Sequence, residues 1–378
     1  MKYYIIAGEA SGDMHAANMM KQIKQRDPEA YFRVWGGDKM AEQAQELAKH
    51  IRETSFMGIF GVLWNLRTIK RNFRFCEEDI EQFKPDVLIL IDNSGFNLRI
   101  AKYVKLSQLD TRVYYYILPQ AWAWKRKRVH TIHQWTDRIF AILPFEKAFY
   151  KSYGYDVDFV GHPIMDALAQ EKKELADKEA FRLKYEFSEK PVIALLPGSR
   201  KREIQTKLPK MLQVVKHFPN HQFVVAGSRT VEEALYAQFL PSEVKLIFGE
   251  HYNILNMADA ALVTSGTATL ETALFNVPQV VCYKPGWLTY HLMKRIISIK
   301  YISMVNLILD KEAVKELIES DLNEGKMVSE LKLLFDETHR TRILEDYKLL
   351  AEKLGGTGAS ERVATLMIED IQNHSQRN

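Results

Sequence analysis

Four short stretches of this chain set carboxylates, hydroxyls or a guanidinium beside small residues at the ends of apolar runs. In "VLILIDNSGFN", Asp92 ends a buried-looking strand, and Asn93, Ser94 and Gly95 turn the chain. A partly desolvated carboxylate at the mouth of a cleft is a candidate general base; the competing reading is an Asx-turn or N-cap aspartate. In "LLPGSR", Gly198, Ser199 and Arg200 open a helix, so exposed N–H groups, a helix dipole and a guanidinium make an anion site. The competing reading there is a plain Pro-Gly turn. In "ALVTSGTATLE", Ser265, Gly266 and Thr267 lie between strand and helix, where glycine admits a diphosphate close to the backbone and the hydroxyls add donors. Glu271, about one turn on, could accept both hydroxyls of a ribose, or be a solvated acid favoured by the dipole. The fourth stretch, "AGEASGD", follows "KYYII" where a nucleotide-binding fold puts its phosphate loop, yet it carries Glu9 and Asp13, which would repel a pyrophosphate.

The elements that position these loops are legible in the alternation of apolar runs and helical stretches. "KYYIIA", "FRVWGG", "VLILID", "RVYYYI", "RIFAIL" and "VDFV" read as strands of one parallel α/β sheet. After a charged helical stretch beginning at Asp166, "PVIALLPGSRKREI" restarts the pattern, with "QFVVAG", "VKLIFG", "AALVTSG" and "QVVCYK" as strands of a second. The fold class is therefore α/β, with two domains, 1–165 and 166–355, and a C-terminal helix over 356–378 that packs on the first domain or on a partner subunit. Two open sheets facing across a cleft would bring the strand ends together there.

Composition bounds the function. A chain of 378 residues suits two domains. The two cysteines, Cys76 and Cys282, are too few for a disulfide framework and suit a reducing compartment. No apolar stretch approaches the roughly 20 residues of a membrane span, and the N-terminus lacks a signal-peptide core, so the chain is expected in the cytoplasm. The net charge of +4 is too small to argue for nucleic acid. His15 and His162 have no second ligand at metal spacing, and Asp156 and Asp158 read as the solvent face of an edge strand. No metal and no cofactor is expected.

Taken in order, "AGEASGD", "MGIFGVL", "KPDVLILID…FN", "QAWAWKRKRV", "LPFEKAFY", "FVGHP", "LLPGSR", "SGTATLE" and "YISMVNLI" closely resemble the lipid-A-disaccharide synthases, from near residue 5 to about residue 320. The resemblance implies a GT-B glycosyltransferase, two Rossmann-like domains facing across a cleft, working at the cytoplasmic face of the inner membrane of a Gram-negative cell. It implies an inverting, metal-independent condensation of UDP-2,3-diacylglucosamine with 2,3-diacylglucosamine 1-phosphate, giving a disaccharide 1-phosphate and UDP. Such a protein holds the donor nucleotide in its second domain, so the acids of the first loop need not meet a pyrophosphate. Glu9 is then free to hold an acceptor hydroxyl, or to act as the base in place of Asp92, with Ser11 and Gly12 packing around it. The resemblance puts the base on Asp92, and Arg200, Ser265, Gly266, Thr267, Glu271 and Asn306 on donor-binding positions. One departure is visible: many relatives carry a second acid in this loop, as in "DAPDFN", where this chain has Ser94 and Gly95.

The stretch "IFGVLWNLRTIKRNFRF" adds a membrane contact. Ile59, Val62, Leu66, Ile69 and Phe73 share one helical stripe, while Arg67, Lys70, Arg71 and Arg74 share another, with Phe60, Trp64 and Phe75 in or beside it. Rings among cations suit a bilayer interface carrying diacylated substrates; nucleic acid and a partner-protein interface are the competing readings. The alternatives are a UDP-N-acetylglucosamine 2-epimerase-like enzyme and a non-catalytic UDP-sugar-binding protein. A homodimer exchanging the C-terminal helix is a further expectation.

Overall fold

The computed structural model describes residues 1–53, 66–286 and 300–375. The chain divides into two compact units, Met1–Ala167 with Leu354–Asn378, and Leu168–Lys353.

The first unit runs β1 (Lys2–Ala7), α1 (Ala10–Arg26), β2 (Tyr31–Gly36), α2 (Asp38–Ala41), β3 (Glu46–His50), α3 (Leu66–Phe83), β4 (Val87–Ile91), α4 (Ser94–Leu106), β5 (Arg112–Tyr116), α5 (Arg128–Trp135), β6 (Arg138–Ala141), α6 (Pro144–Lys151) and β7 (Asp158–Phe159). Helix α7 (Ile164–Glu171) leads out of it. Its strands form one parallel sheet in the order β3-β2-β1-β4-β5-β6-β7. The second unit runs α8 (Lys178–Lys184), β8 (Val192–Leu196), α9 (Lys201–Met211), β9 (Gln222–Gly227), α10 (Glu233–Ala237), β10 (Val244–Phe248), α11 (His251–Met257), β11 (Ala260–Thr264), α12 (Thr267–Leu274), β12 (Gln279–Tyr283), α13 (Met304–Leu309), β13 (Lys315–Ile318), α14 (Glu324–Leu333) and α15 (Glu337–Lys353). Its parallel sheet has the order β10-β9-β8-β11-β12-β13.

The central strands are nearly continuous apolar runs, broken only by Thr264 at the end of β11, because helices cover both faces. Every residue of β4 (VLILI), β8 (VIALL) and β11 (AALVT) is buried. In each sheet the order reverses beside the first strand, between β1 and β4 and between β8 and β11. At such a switch point the following loops diverge and leave a crevice beyond the strand ends. Register fixes what meets there: Ala7 pairs with Ile91, so the chains leave the sheet side by side as Gly8 and Asp92.

Helix α16 (Ala359–Ser375) belongs to the first unit and packs on α1. Arg26 reaches Glu361 at 2.8 Å, Arg112 reaches Asp370 at 2.6 Å, and Arg362 donates to the Val160 carbonyl at 2.8 Å. At its start, Asp166 accepts from the Gly358 and Ser360 amides.

Candidate functional site

In the first unit, the loops after β1 and β4 interlock. Gly8 has no room for a Cβ, which would sit 2.5 Å from Asn93 Nδ2, so only glycine lets the two turns touch. Asp92 and Asn93 both adopt left-handed backbone, at φ 51° and 39°. Two such residues in succession are strained, and Asp and Asn tolerate the conformation best among residues with a Cβ. The strain is held by the Asp92 carbonyl, which accepts from the Tyr115 hydroxyl at 2.5 Å and from Asn97 Nδ2 at 2.9 Å. The N-cap of α4 is Asn93 rather than Asp92, and its side chain makes no capping bond.

The Asp92 carboxyl is half-buried. Burial pushes its pKa above the ordinary aspartate value, the charge of Glu9 adds to the rise, and the Asn93 N–H opposes it. Glu9 itself is exposed at the N-cap of α1 in extended backbone. Two carboxylates from two different loops thus face one region, one partly desolvated and one open to solvent.

The other acid of "AGEASGD" has a different task. Asp13 is buried and accepts from the amides of Gly37, Lys39 and Met40, at 2.7, 3.1 and 3.0 Å. It anchors the turn after β2 and cannot also serve a substrate. Ser11 is exposed in the first turn of α1. Gly12 is buried, and a Cβ there would meet Ala7 and Ile91, so this position packs α1 against the sheet.

In the second unit, Gly198 stands at φ 114° against the carboxylate of Glu203. Glu203 accepts from the amides of Ser199 and Arg200 at 3.2 and 3.3 Å, and buried Lys207 lies 3.9 Å from its other oxygen. The amides that the sequence offers to a diphosphate are therefore engaged by an internal carboxylate, which a bound anion must displace. The sequence signal for this was the Glu three residues into the helix, the spacing of a capping box. Arg200 is exposed. At the switch point's other loop, Gly266 is exposed at φ 149° with open space where a Cβ would stand, and exposed Thr267 begins α12. The Ser265 hydroxyl donates to the Ile302 carbonyl at 3.2 Å.

Glu271 is not a solvated first-turn acid. It lies in the body of α12, where the Tyr252 hydroxyl donates to its Oε1 at 3.2 Å and Tyr252 stacks on Phe275. Burial raises its pKa, the Tyr252 bond lowers it, and Glu171 raises it again. The Nδ2 of Asn306 donates to the Val314 carbonyl and to Glu316 Oε1, while its Oδ1 accepts from the Ala313 and Val314 amides. It is fully buried and braces its own loop through these four bonds.

On helix α3, Arg67, Lys70, Arg71 and Arg74 are exposed, whereas Ile69 and Phe73 pack on the core. Phe60 and Trp64 lie outside the described residues. Asp158 pairs with Arg138 at 2.8 Å on β7, the sheet edge. Among the described residues no three His, Cys, Asp or Glu side chains gather as metal ligands, and no helix is long and apolar enough to cross a membrane.

Residues 3–368 match a family model described as lipid-A-disaccharide synthetase. The chain is 36% identical to the lipid-A-disaccharide synthase of Syntrophus aciditrophicus (strain SB), over 97% of both chains. It is 35% identical to that of Myxococcus xanthus (strain DK1622), over 97% of this chain and 96% of the relative. Among solved structures it is similar to UDP-GlcNAc 2-epimerase from Neisseria meningitidis bound to UDP-GlcNAc, with TM-score 0.67 and 13% identity over 98% of this chain and 100% of that one. It is also similar to a glycosyltransferase from Rickettsia africae ESF-5, with TM-score 0.58 and 12% identity over 98% of both. Those likenesses carry the GT-B fold alone; the sequence relationship separates this chain from the epimerases.

Proposed function

The chain belongs to the lipid-A-disaccharide synthase family, glycosyltransferases of lipid A biosynthesis, and from that premise we propose that it transfers a 2,3-diacylglucosaminyl group from UDP to the 6-hydroxyl of 2,3-diacylglucosamine 1-phosphate. The loops after β1 and β4 take the acceptor, and those after β8 and β11 take the UDP-sugar. Asp92 removes the proton of the attacking hydroxyl while the anomeric carbon–oxygen bond to UDP breaks. The electron pair leaves with the diphosphate, the configuration inverts, and Asp92 ends protonated. Arg200 and the Gly266–Thr267 start of α12 receive the charge of the leaving UDP, with Ser199 and Ser265 beside them, and Glu271 holds the ribose. No metal is assigned to these steps. Glu9 orients the acceptor and keeps the Asp92 carboxyl basic.

The observation that carries this reading is the strained Asp92 turn at the switch point, which points a partly desolvated carboxylate beside Glu9. The acceptor and donor are lipids, so the enzyme works at the cytoplasmic face of the inner membrane, held peripherally by the basic face of α3. UDP release measured with and without acceptor, together with the product mass, tests the assignment. Acceptor-dependent UDP release with a disaccharide 1-phosphate supports it. Acceptor-independent turnover of the UDP-sugar indicates an epimerase or hydrolase, and binding without turnover indicates a carrier.

A further inference from the structure

Beside the Asp92 turn lies a cavity of about 300 Å³. Its walls are Ile6, Trp35, Ile69, Phe73 and Phe96, and its polar side is formed by Gly8 and Asn93, the chain neighbours of Glu9 and Asp92. The wall is preformed. Phe73 and Phe96 stack at 4.6 Å between ring centres, Trp35 lies 5.0 Å from Phe96, and the Arg99 guanidinium covers Phe73 at 4.2 Å. The one buried polar side chain on this wall, Asn72, already accepts from Lys49 Nζ at 3.0 Å. A space of this size, walled mostly by apolar side chains and stacked rings, is of ligand-pocket dimensions and suits an apolar group better than a sugar or a phosphate.

We propose that this cavity takes the end of one acyl chain of the acceptor, and so selects substrates by chain length. The proposal rests on the transferase reading above, which puts the acceptor sugar at Asp92. A chain on that sugar reaches the cavity past Gly8 and Asn93, because those residues adjoin the two carboxylates in both sequence and space. Helix α3 then serves both ends of the same lipid. Arg67, Lys70, Arg71 and Arg74 stand on its exposed face, while Ile69 and Phe73 from its opposite face line the cavity. Each methylene moved from water into such a wall raises affinity about fourfold.

The test uses glucosamine 1-phosphate carrying either acetyl or dodecanoyl groups, both at concentrations where the lipid is monomeric. Calorimetric binding to the full chain is followed alongside turnover with the UDP-sugar. The dodecanoyl acceptor should bind at least tenfold tighter than the acetyl one. Ile69→Trp, which fills the cavity, should shrink that ratio at least tenfold in both binding and kcat/KM. Ile69→Ala, which enlarges it, should move the best chain length upward; this variant serves if the tryptophan one does not fold. An unchanged dodecanoyl-to-acetyl ratio in folded Ile69→Trp, or, across acceptors of graded chain length, an unmoved best length in Ile69→Ala, overturns the proposal. If the ratio responds in binding but no disaccharide forms in the wild type, the acyl pocket stands and the transferase reading falls. If disaccharide forms with a ratio indifferent to both variants, the reverse holds.

Discussion

Asp92 and Asn93 hold two consecutive left-handed conformations at the end of a fully buried strand, and the hydroxyl of Tyr115 and the amide of Asn97 fasten the same carbonyl. A turn of this kind costs stability, of order 1–3 kcal/mol for each such residue, and its return is a fixed direction for one carboxylate. Asp92→Asn is nearly isosteric and keeps the turn, so turnover should fall roughly 10²–10⁴-fold while UDP affinity, measured by calorimetry, stays put. A variant with near-wild-type turnover would make Asp92 a turn residue and Glu9 the base. The electrostatics give a second expectation. Protonated Asp92 cannot accept the hydroxyl proton, so the rate should fall toward acid on a limb displaced upward from the ordinary aspartate range by burial and by the Glu9 charge. Glu9→Gln removes the second cause, so the limb should move to lower pH in a kcat/KM profile; an unmoved limb would mean that Glu9 does not act on Asp92. The chemical type of this residue was legible in "VLILID", where an acid ends an apolar run. Its role is not legible there: the N-cap of α4 is Asn93, and the choice between general base and turn residue belongs to the Asp92→Asn measurement. For Asn306 the four partners that fill its amide were not legible, because they come from a fold of its own loop that no spacing announces.

Among the elements, those buried on both faces were the plain ones to read. Strands β4 and β8 are apolar at every position and β11 at all but its last, Thr264, and runs of that length bounded by turn residues read as buried strands. Strands β3 and β13 escaped notice because they are sheet edges with sequences ELAKH and KELI, where partial exposure admits charges and dilutes the pattern. Helix α3 shows how far periodicity goes: its basic residues are exposed and Ile69 and Phe73 pack on the core, in the separate sectors that the spacing requires. What that basic face meets is a question of binding. Replacing Arg67, Lys70, Arg71 and Arg74 by Ser removes about 1 kcal/mol of attraction per cation near an anionic surface. The protein should then leave anionic vesicles for the supernatant in a sedimentation assay, with its UDP affinity intact. Continued sedimentation of the quadruple variant at moderate salt would place the membrane contact elsewhere.

On the scale of the whole molecule, the first unit stores an acid sensitivity in its interior. His15 and His162 are buried, and desolvation pulls their pKa values down from 6.5 to about 4 and about 3; Asp166 opposes the fall at His15, and each histidine has a further cation or imidazole nearby that adds to it. Depressed folded-state values mean that the unfolded chain binds these protons first. The contribution is complete above pH 6.5 and is lost as pH falls toward the folded values, at about 1.4 kcal/mol per pH unit for each histidine. Glu146 works in the other sense. Burial raises it to about 7 against the two amides it caps, so its contribution is present at low pH and fades from 4.5 up to 7. Two groups against one leaves a net loss of stability on acidification below pH 6.5, seen as a falling melting temperature. His162→Asn, whose Oδ1 can keep the bond from the Ile164 amide, should flatten that slope; an equal slope would assign it to other groups.

The return of α16 to the first unit also orders events in time. A ribosome delivers the strands of that unit first, then all of the second unit, and only afterwards the helix that answers Arg26, Arg112 and Asp166. The earliest part of the chain to emerge is therefore the last to be finished. Until translation ends, α1 stands with an uncovered apolar side and Arg112 and Arg138 lack the Asp370 carboxylate, while the second unit, continuous from Leu168 to Lys353, can close by itself. Newly made chains thus spend that interval with the first unit incomplete and its apolar surface open to non-native contacts.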